Sequence, residues 1–127
     1  MCDAQQLADR YVAVWNEPNA ELRRHAIAAL WAVDGIHYVG TREARGYDAL
    51  EQRIAASHEK NVRSLGYQFR AAKGAHALRD AVTFFWEMLP ADSESVIATG
   101  VEFLIIDAQG RILADYQFVL DRALAPA

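Results

Sequence analysis

Residues 96–120, VIATGVEFLIIDAQGRILADYQFVL, consist of two runs rich in β-branched, aromatic and aliphatic side chains around the turn Asp107-Ala108-Gln109-Gly110. Such composition is typical of strands, and apolar and polar residues alternate along much of each run. Gly110 can adopt the positive φ that a tight turn requires. The segment therefore predicts an antiparallel hairpin of Val96–Ile106 and Arg111–Leu120.

The alternating pattern extends toward the N-terminus as far as residue 65. It predicts a strand over Tyr67–Leu78, with a bulge at Lys73-Gly74, and another over Ala81–Leu89. Together with the hairpin, these strands form a predicted four-stranded meander. The tail, residues 122–127, is expected to be irregular.

Before residue 65 the apolar residues recur at helical intervals. Asp3 and Asn19 are suited to cap two helices, and Tyr47–Asn61 is predicted to be a third. Ile36–Val39 reads as a short strand, followed by a polar loop over residues 40–46. The order predicts an α+β fold, a cone-shaped roll in which three N-terminal helices pack on a strongly curved, mostly antiparallel sheet.

The chain length and composition favour one domain over residues 1–127, because 127 residues with 53% hydrophobic composition suffice for one core. A net charge of −4 with scattered arginines disfavours nucleic acid and membrane surfaces as partners. No basic and apolar leader precedes the first helix, and Cys2 is the only cysteine, so no intrachain disulfide can form. We therefore expect a cytoplasmic protein with a small apolar or weakly polar ligand and no cofactor.

Four short motifs resemble the nuclear-transport-factor-2-like superfamily, which includes ketosteroid isomerases and SnoaL-like cyclases. The resemblance covers Leu7–Leu120 and implies the same helix, helix, strand, helix and bent meander. The motifs are Asp9-Arg10-Tyr11-Val12, Trp31-Ala32-Val33-Asp34-Gly35, Phe84-Phe85-Trp86-Glu87-Met88 and Asp107-Ala108-Gln109-Gly110-Arg111-Ile112.

The resemblance to ketosteroid isomerases implies an oxyanion hole formed by a tyrosine and a protonated acid. Tyr11 matches the tyrosine, and Glu102 matches the acid, which is an aspartate in that family. An apolar site keeps such an acid neutral near pH 7, so that it can donate a hydrogen bond. The family's general base falls at Val39, which cannot accept a proton.

Two other side chains are candidates for moving a proton. His37, two residues before Val39, could replace the missing base because its reference pKa is about 6.5; the alternative is a hydrogen-bonded structural histidine. The family pattern places Asp115 and Gln117 on the inner face of the last strand. Glutamine can orient a ligand there but cannot carry its proton.

Alternation along the strands suggests a cavity wall and an outer face. If Glu102 points inward, Val101, Phe103 and Ile105 cover the outer face, which is then apolar enough to suggest a homodimer through the convex side of the sheet. Further ligand contacts are expected from large side chains that could equally be core, namely Trp15, Trp31, Phe84, Trp86 and Met88.

His58 continues the Leu50 and Ile54 face of the third helix and is a further candidate ligand contact; a structural role near the helix C-terminus is the alternative. His58-Glu59 does not begin a zinc motif, because Val62 stands where a second histidine is required. No metal is expected.

Two functions remain open at this point. One is acid/base chemistry on a small apolar carbonyl compound, with Tyr11 and Glu102 polarising an oxygen and His37 or Asp115 moving a proton. The other is a non-catalytic module for binding a hydrophobic ligand or for dimerisation. No motif supports protein transport, the activity of the superfamily's namesake.

Overall fold

A computed structural model describes residues 3–120. The helices are α1 Ala4–Asn16, α2 Ala20–Leu30 and α3 Gly46–Ser57, and α3 continues into a π-helical segment, His58–Ser64. The strands are β1 Trp31–Val39, β2 Arg42–Arg45, β3 Tyr67–Ala71, β4 His76–Leu78, β5 Ala81–Pro90, β6 Ala98–Ile106 and β7 Ile112–Leu120.

The two predicted helix caps are confirmed. The Asp3 side chain accepts a hydrogen bond from the backbone N–H of Gln6, and the Asn19 side chain accepts one from that of Leu22. Each cap satisfies a backbone donor that has no partner within its own helix.

The strands form one curved sheet in the order β2-β1-β7-β6-β5-β3, with β4 also paired to β5. All described pairs are antiparallel except β1 with β7, which is parallel. Register shifts occur between Trp31 and Ile36 in β1 and between Ile105 and Ile106 in β6, where bulges increase local bend and twist. The predicted α+β class and mostly antiparallel sheet are confirmed.

Some predicted boundaries were wrong. The predicted strand Tyr67–Leu78 is two strands, because the chain leaves the sheet after Ala71 and Gly74 has a φ of 94°. The predicted polar loop contains β2, and β1 begins at Trp31 instead of Ile36. The prediction for residues 122–127 lies outside the described part of the chain.

The hydrophobic core lies between the helices and the inner face of the sheet. Trp31, Phe84 and Leu104 are at most 1% exposed. The rings of Trp31 and Phe84 each lie 5.4 Å from the ring of Tyr11, so the first helix is anchored against two strands by aromatic packing. No helix in residues 3–120 is long and apolar enough to cross a bilayer.

Candidate functional site

A cavity of about 360 Å³ opens beside this core, between α1, α3 and the inner face of the sheet. This volume lies near the lower end of the roughly 300–1,000 Å³ that small-molecule sites occupy. Its apolar lining is contributed by Val12, Trp15, Phe69, Trp86, Met88, Ala98 and Val119. Its polar lining includes Tyr11, Glu102 and Gln117, all of them predicted site residues.

Glu102 lines the cavity and Asp115 does not, although both are 0% exposed. They lie on the neighbouring strands β6 and β7, where Glu102 pairs with Gln117 and Leu104 pairs with Asp115. The Tyr11 hydroxyl donates a 2.5 Å hydrogen bond to Asp115 Oδ2. A helix donor from the start of the chain thus meets an acceptor from the last strand.

Burial raises the pKa of Glu102 well above its usual range, and the nearby negative charge of Asp115 raises it further. Burial and Asp115 also raise the pKa of Tyr11. Glu102 is therefore held in its neutral, protonated form at a higher pH than an exposed glutamate. Tyr11 remains a neutral hydrogen-bond donor.

Trp86 fixes the orientation of Glu102. The indole Nε1 donates a 3.0 Å hydrogen bond to Glu102 Oε1. Glu102 Oε2 is buried and makes no hydrogen bond to the described residues. The strands allow this arrangement because Gly100 lies opposite Trp86, and a Cβ on Gly100 would be 2.1 Å from the indole ring.

His37 lies behind Gln117. Its Nε2 is 2.9 Å from Gln117 Oε1 and 3.8 Å from Asp115 Oδ2. When the imidazole donates to Oε1, the Gln117 amide is oriented with its N–H₂ group available to the cavity. His37 thus contacts a residue that lines the cavity but does not line it itself.

His37, Glu102 and Asp115 each offer one potential ligand atom within 4.8 Å of the others. This cluster is where the described residues could hold a divalent cation. A cation there would offset the repulsion between the Glu102 and Asp115 carboxylates. A proton shared by these two carboxyl groups offsets that repulsion as well, and it keeps the hydrogen bonds from Tyr11 and Trp86. The expectation of no metal stays a prediction.

Three cations also line the cavity and were missed at the sequence level. We call Arg42, Arg53 and Lys60 the cationic rim. Arg42 and Lys60 are exposed, whereas Arg53 is half-buried. One helix face lines the cavity with residues at helical spacing: Arg53, Ala56, Ser57 and Lys60. This spacing is the sequence signal from which the rim could have been predicted.

The predicted site residues fall into two groups. Tyr11, Trp15, Trp86, Met88, Glu102 and Gln117 line the cavity. Asp115, His37, Trp31, Phe84 and His58 do not, although all five are buried.

Two positions outside the cavity, those of His58 and of the expected base, have other surroundings. His58 lies near the backbone of Asn16, and burial and the neighbouring Arg23 lower its pKa. Val39, at the position of the expected base, pairs with Gln117 and Arg42 and does not line the cavity.

No protein-family model matches the sequence, and neither does any curated protein. Solved structures do match. A "putative isomerase of the SnoaL-like family" from Agrobacterium tumefaciens has a TM-score of 0.84 and 24% sequence identity, over 93% of this chain and 97% of that one. A "putative polyketide cyclase" from Sinorhizobium meliloti has a TM-score of 0.67 and 13% identity, over 91% and 99%.

A SnoaL-like protein of unknown function from Burkholderia thailandensis has a TM-score of 0.69 and 13% identity, over 93% of this chain and 95% of that one. These identities are low, and the likeness they establish is one of fold. With its three helices against a curved, mostly antiparallel sheet, the chain has the nuclear-transport-factor-2-like fold seen in SnoaL-like proteins.

Proposed function

We propose that the cavity binds a small, mainly apolar carbonyl compound and catalyses an isomerase-like or cyclase-like proton transfer on it. The observation that carries the proposal is the buried pair of carboxyl groups, Glu102 and Asp115, with Tyr11 hydrogen-bonded to Asp115 beside a partly apolar cavity. Acid/base catalysis is commonly based on two neighbouring acids whose surroundings give them different pKa values. The SnoaL-like likeness is consistent with this chemistry.

In the proposed reaction, protonated Glu102 donates a hydrogen bond from its carboxyl group to the ligand's carbonyl oxygen. As negative charge develops on that oxygen, the bond strengthens and stabilises the enolate. The Gln117 amide N–H₂ is a second donor, held in place by His37. His37 is a positioning residue in this scheme.

The proton leaving the ligand's carbon passes to the Tyr11 oxygen while the Tyr11 proton passes to Asp115. Tyr11 therefore stays neutral throughout, which suits a phenol whose pKa is raised by burial. The reverse transfer delivers a proton to a different carbon, so the double bond moves and the protein returns to its starting state. Asp115 acts through Tyr11, because it does not line the cavity.

The test is the isomerisation of a small β,γ-unsaturated ketone, followed by the ultraviolet absorbance of the conjugated product. Glu102→Gln replaces the carboxylic acid by a weaker hydrogen-bond donor to the developing enolate, and should lower kcat by about 10²–10³-fold. His37→Ala should mainly raise KM by releasing Gln117. Glu87→Gln makes the same chemical change at a half-buried glutamate paired with Arg70, and should leave the rate unchanged. Equal rates for the native protein and Glu102→Gln would contradict the proposal.

A non-catalytic binding module is the second candidate function. It is favoured because Asp115 and His37 do not line the cavity and because valine occupies the position of the expected base. In that case the same ketone should raise the melting temperature of the native protein and of Glu102→Gln without any turnover. A divalent cation added alone provides the matching test of the His37, Glu102 and Asp115 cluster.

We also propose that the chain forms a homodimer through the convex side of the sheet. Five apolar side chains there form what we call the outer-face patch: Phe85, Val101, Phe103, Tyr116 and Phe118. Phe118 is 56% exposed and Phe103 is 42% exposed. The patch contains no charged side chain, so a second copy of the same face could cover it without burying an unpaired charge.

A further inference from the structure

The cationic rim faces the cavity and has no ion-pair partner among residues 3–120. Arg42, Arg53 and Lys60 form no salt bridge with any described residue. Arg53 is the most informative of the three, because its Nε is buried and makes no hydrogen bond to the part of the chain that the structure describes. An unpartnered guanidinium nitrogen is costly to bury, so its lack of a partner requires an explanation.

Nearby acids do not compensate the rim, because they are engaged elsewhere. Glu43, next to Arg42, lies 4.0 Å from Arg45, and Glu59, next to Lys60, lies 3.1 Å from Arg63. Burial and the charge of Arg42 both lower the pKa of Arg53, as expected for cations that face one another. Glu102 lines the same cavity, and its negative charge raises the pKa of Arg53, but burial favours the neutral form of Glu102.

We infer that the ligand carries a carboxylate, which binds the cationic rim while its carbonyl oxygen reaches Glu102 in the same cavity. The inference rests on the proposed function, which places the ligand's carbonyl oxygen at Glu102. It adds a carboxylate at the other end of the ligand. The rim includes two guanidinium groups, whose planar arrays of donors match a carboxylate in a bidentate arrangement.

The apolar walls of the cavity define the rest of the ligand. Trp15, Phe69, Trp86 and Met88 line the space, which suits an aromatic or alicyclic body. The ligand class is therefore a small hydrophobic keto acid. This revises the sequence-level expectation of a neutral or weakly polar ligand.

The experiment is isothermal titration calorimetry with three matched compounds: benzoylbutyrate, its methyl ester and phenyl butyl ketone. All three carry the aryl ketone, and only the first carries a carboxylate. We expect benzoylbutyrate to bind the native protein about 10-fold or more tightly than the other two, as for hydrogen bonds to charged groups. Its advantage should shrink as salt is added.

Substitutions locate the effect. Arg53→Gln should remove most of the carboxylate's advantage, while the affinity for phenyl butyl ketone stays unchanged. Arg42→Gln should remove part of the affinity advantage that the carboxylate gives. Arg45→Gln is the matched control, because Arg45 lies on the same strand as Arg42 but does not line the cavity. Unchanged binding of the neutral ketone to Arg53→Gln also shows that this variant is folded.

The outcomes separate this inference from the proposed function. If the ketone and the keto acid bind equally, the carboxylate site is overturned while the carbonyl site stands. If none of the three compounds binds, the proposed carbonyl site is overturned together with the inference. If inorganic phosphate at the same concentration displaces benzoylbutyrate completely, the rim is a general anion site and carboxylate selectivity is overturned.

Discussion

Glu102 is the residue on which the proposed chemistry depends, and its environment is set by two neighbouring strands. Trp86 donates to one carboxyl oxygen, and the other oxygen has no hydrogen-bond partner among the described residues. A carboxylate with one neutral donor and a second acid nearby is poorly stabilised, whereas a carboxylic acid is tolerated. The protonated state of Glu102 is therefore coupled to folding.

This coupling predicts that the protein loses stability as pH rises. The pKa of Glu102 is raised in the folded state, so the folded protein binds the proton more tightly than the unfolded chain does. The stabilisation is complete below the unfolded pKa, about 4.3, and is lost as pH rises through the raised folded pKa. Glu102→Gln, which stays neutral, should gain stability relative to the native protein as pH increases.

Urea unfolding of both proteins at several values between roughly pH 5 and pH 9 measures the effect, with stability given by the midpoint and slope. Glu87→Gln controls for the loss of a glutamate, because Glu87 is paired with Arg70 near the surface. If the free energies of unfolding of the native protein and Glu102→Gln differ by the same amount at every pH in this range, Glu102 does not have a raised pKa in the folded state.

The sequence predicted single residues better than it predicted their partners. Alternation along the strand placed Glu102, Gly100 and Leu104 on one face, and all three are buried. The bond between Tyr11 and Asp115 joins positions 104 residues apart, and no local pattern encodes such a contact. His37 was predicted to be either a base or a hydrogen-bonded structural histidine, but its bond to Gln117 depends on the parallel pairing of β1 with β7.

At the level of elements, the pairing of β5 with β6 creates the space that Trp86 occupies. Trp86 lies opposite Gly100, and a Cβ at Gly100 would fall 2.1 Å from the indole ring. Gly100→Ala should therefore push the ring away and break its hydrogen bond to Glu102. Overpacking of this kind costs about 1–3 kcal/mol in the free energy of unfolding.

A double-mutant cycle distinguishes this contact from a general strand effect. Trp86→Phe presents a smaller ring to Gly100 and lacks the indole donor, so Gly100→Ala should cost less in its presence. Urea unfolding of the two single variants and the double variant gives the coupling energy. Strictly additive costs would show that Gly100 and Trp86 do not interact.

The end of α3 contributes one residue of the cationic rim, Lys60, from a segment whose helix type was not predicted. The periodicity predicted a continuous helix to Asn61, whereas the α-helix ends at Ser57 and a π-helical segment continues to Ser64. This change of hydrogen-bonding pattern has no clear local sequence signature. π-helical turns occur frequently at functional sites, and here the segment contributes Lys60 and Asn61 to the cavity.

Across the whole molecule, the order of helical and alternating segments was enough to predict the α+β class and the curved sheet. The position of β1 was not predictable from periodicity, because its parallel partner β7 lies at the other end of the chain. That pairing places the helical layer over the inner face and leaves the outer face of β5, β6 and β7 uncovered by the described residues.

The exposed outer-face patch predicts a dimer that charge should disrupt. Phe118 pairs with Val101, which in turn pairs with Phe85, so Phe118→Glu places a carboxylate at the end of this apolar row. In a two-fold interface the change occurs on both copies, which adds repulsion to the loss of apolar burial. We expect the dimer dissociation constant to rise about 30-fold or more, since a well-buried aromatic residue at an interface commonly contributes about 2 kcal/mol.

Sedimentation equilibrium over a range of protein concentrations measures this constant directly. Val33→Glu is the matched control, because Val33 is 72% exposed and lies in the bulged start of β1, outside the patch. The native protein and Val33→Glu should have the mass of two chains, while Phe118→Glu should have the mass of one at low concentration. If the native protein is a monomer at every concentration, the apolar row has a different partner and the homodimer proposal is wrong.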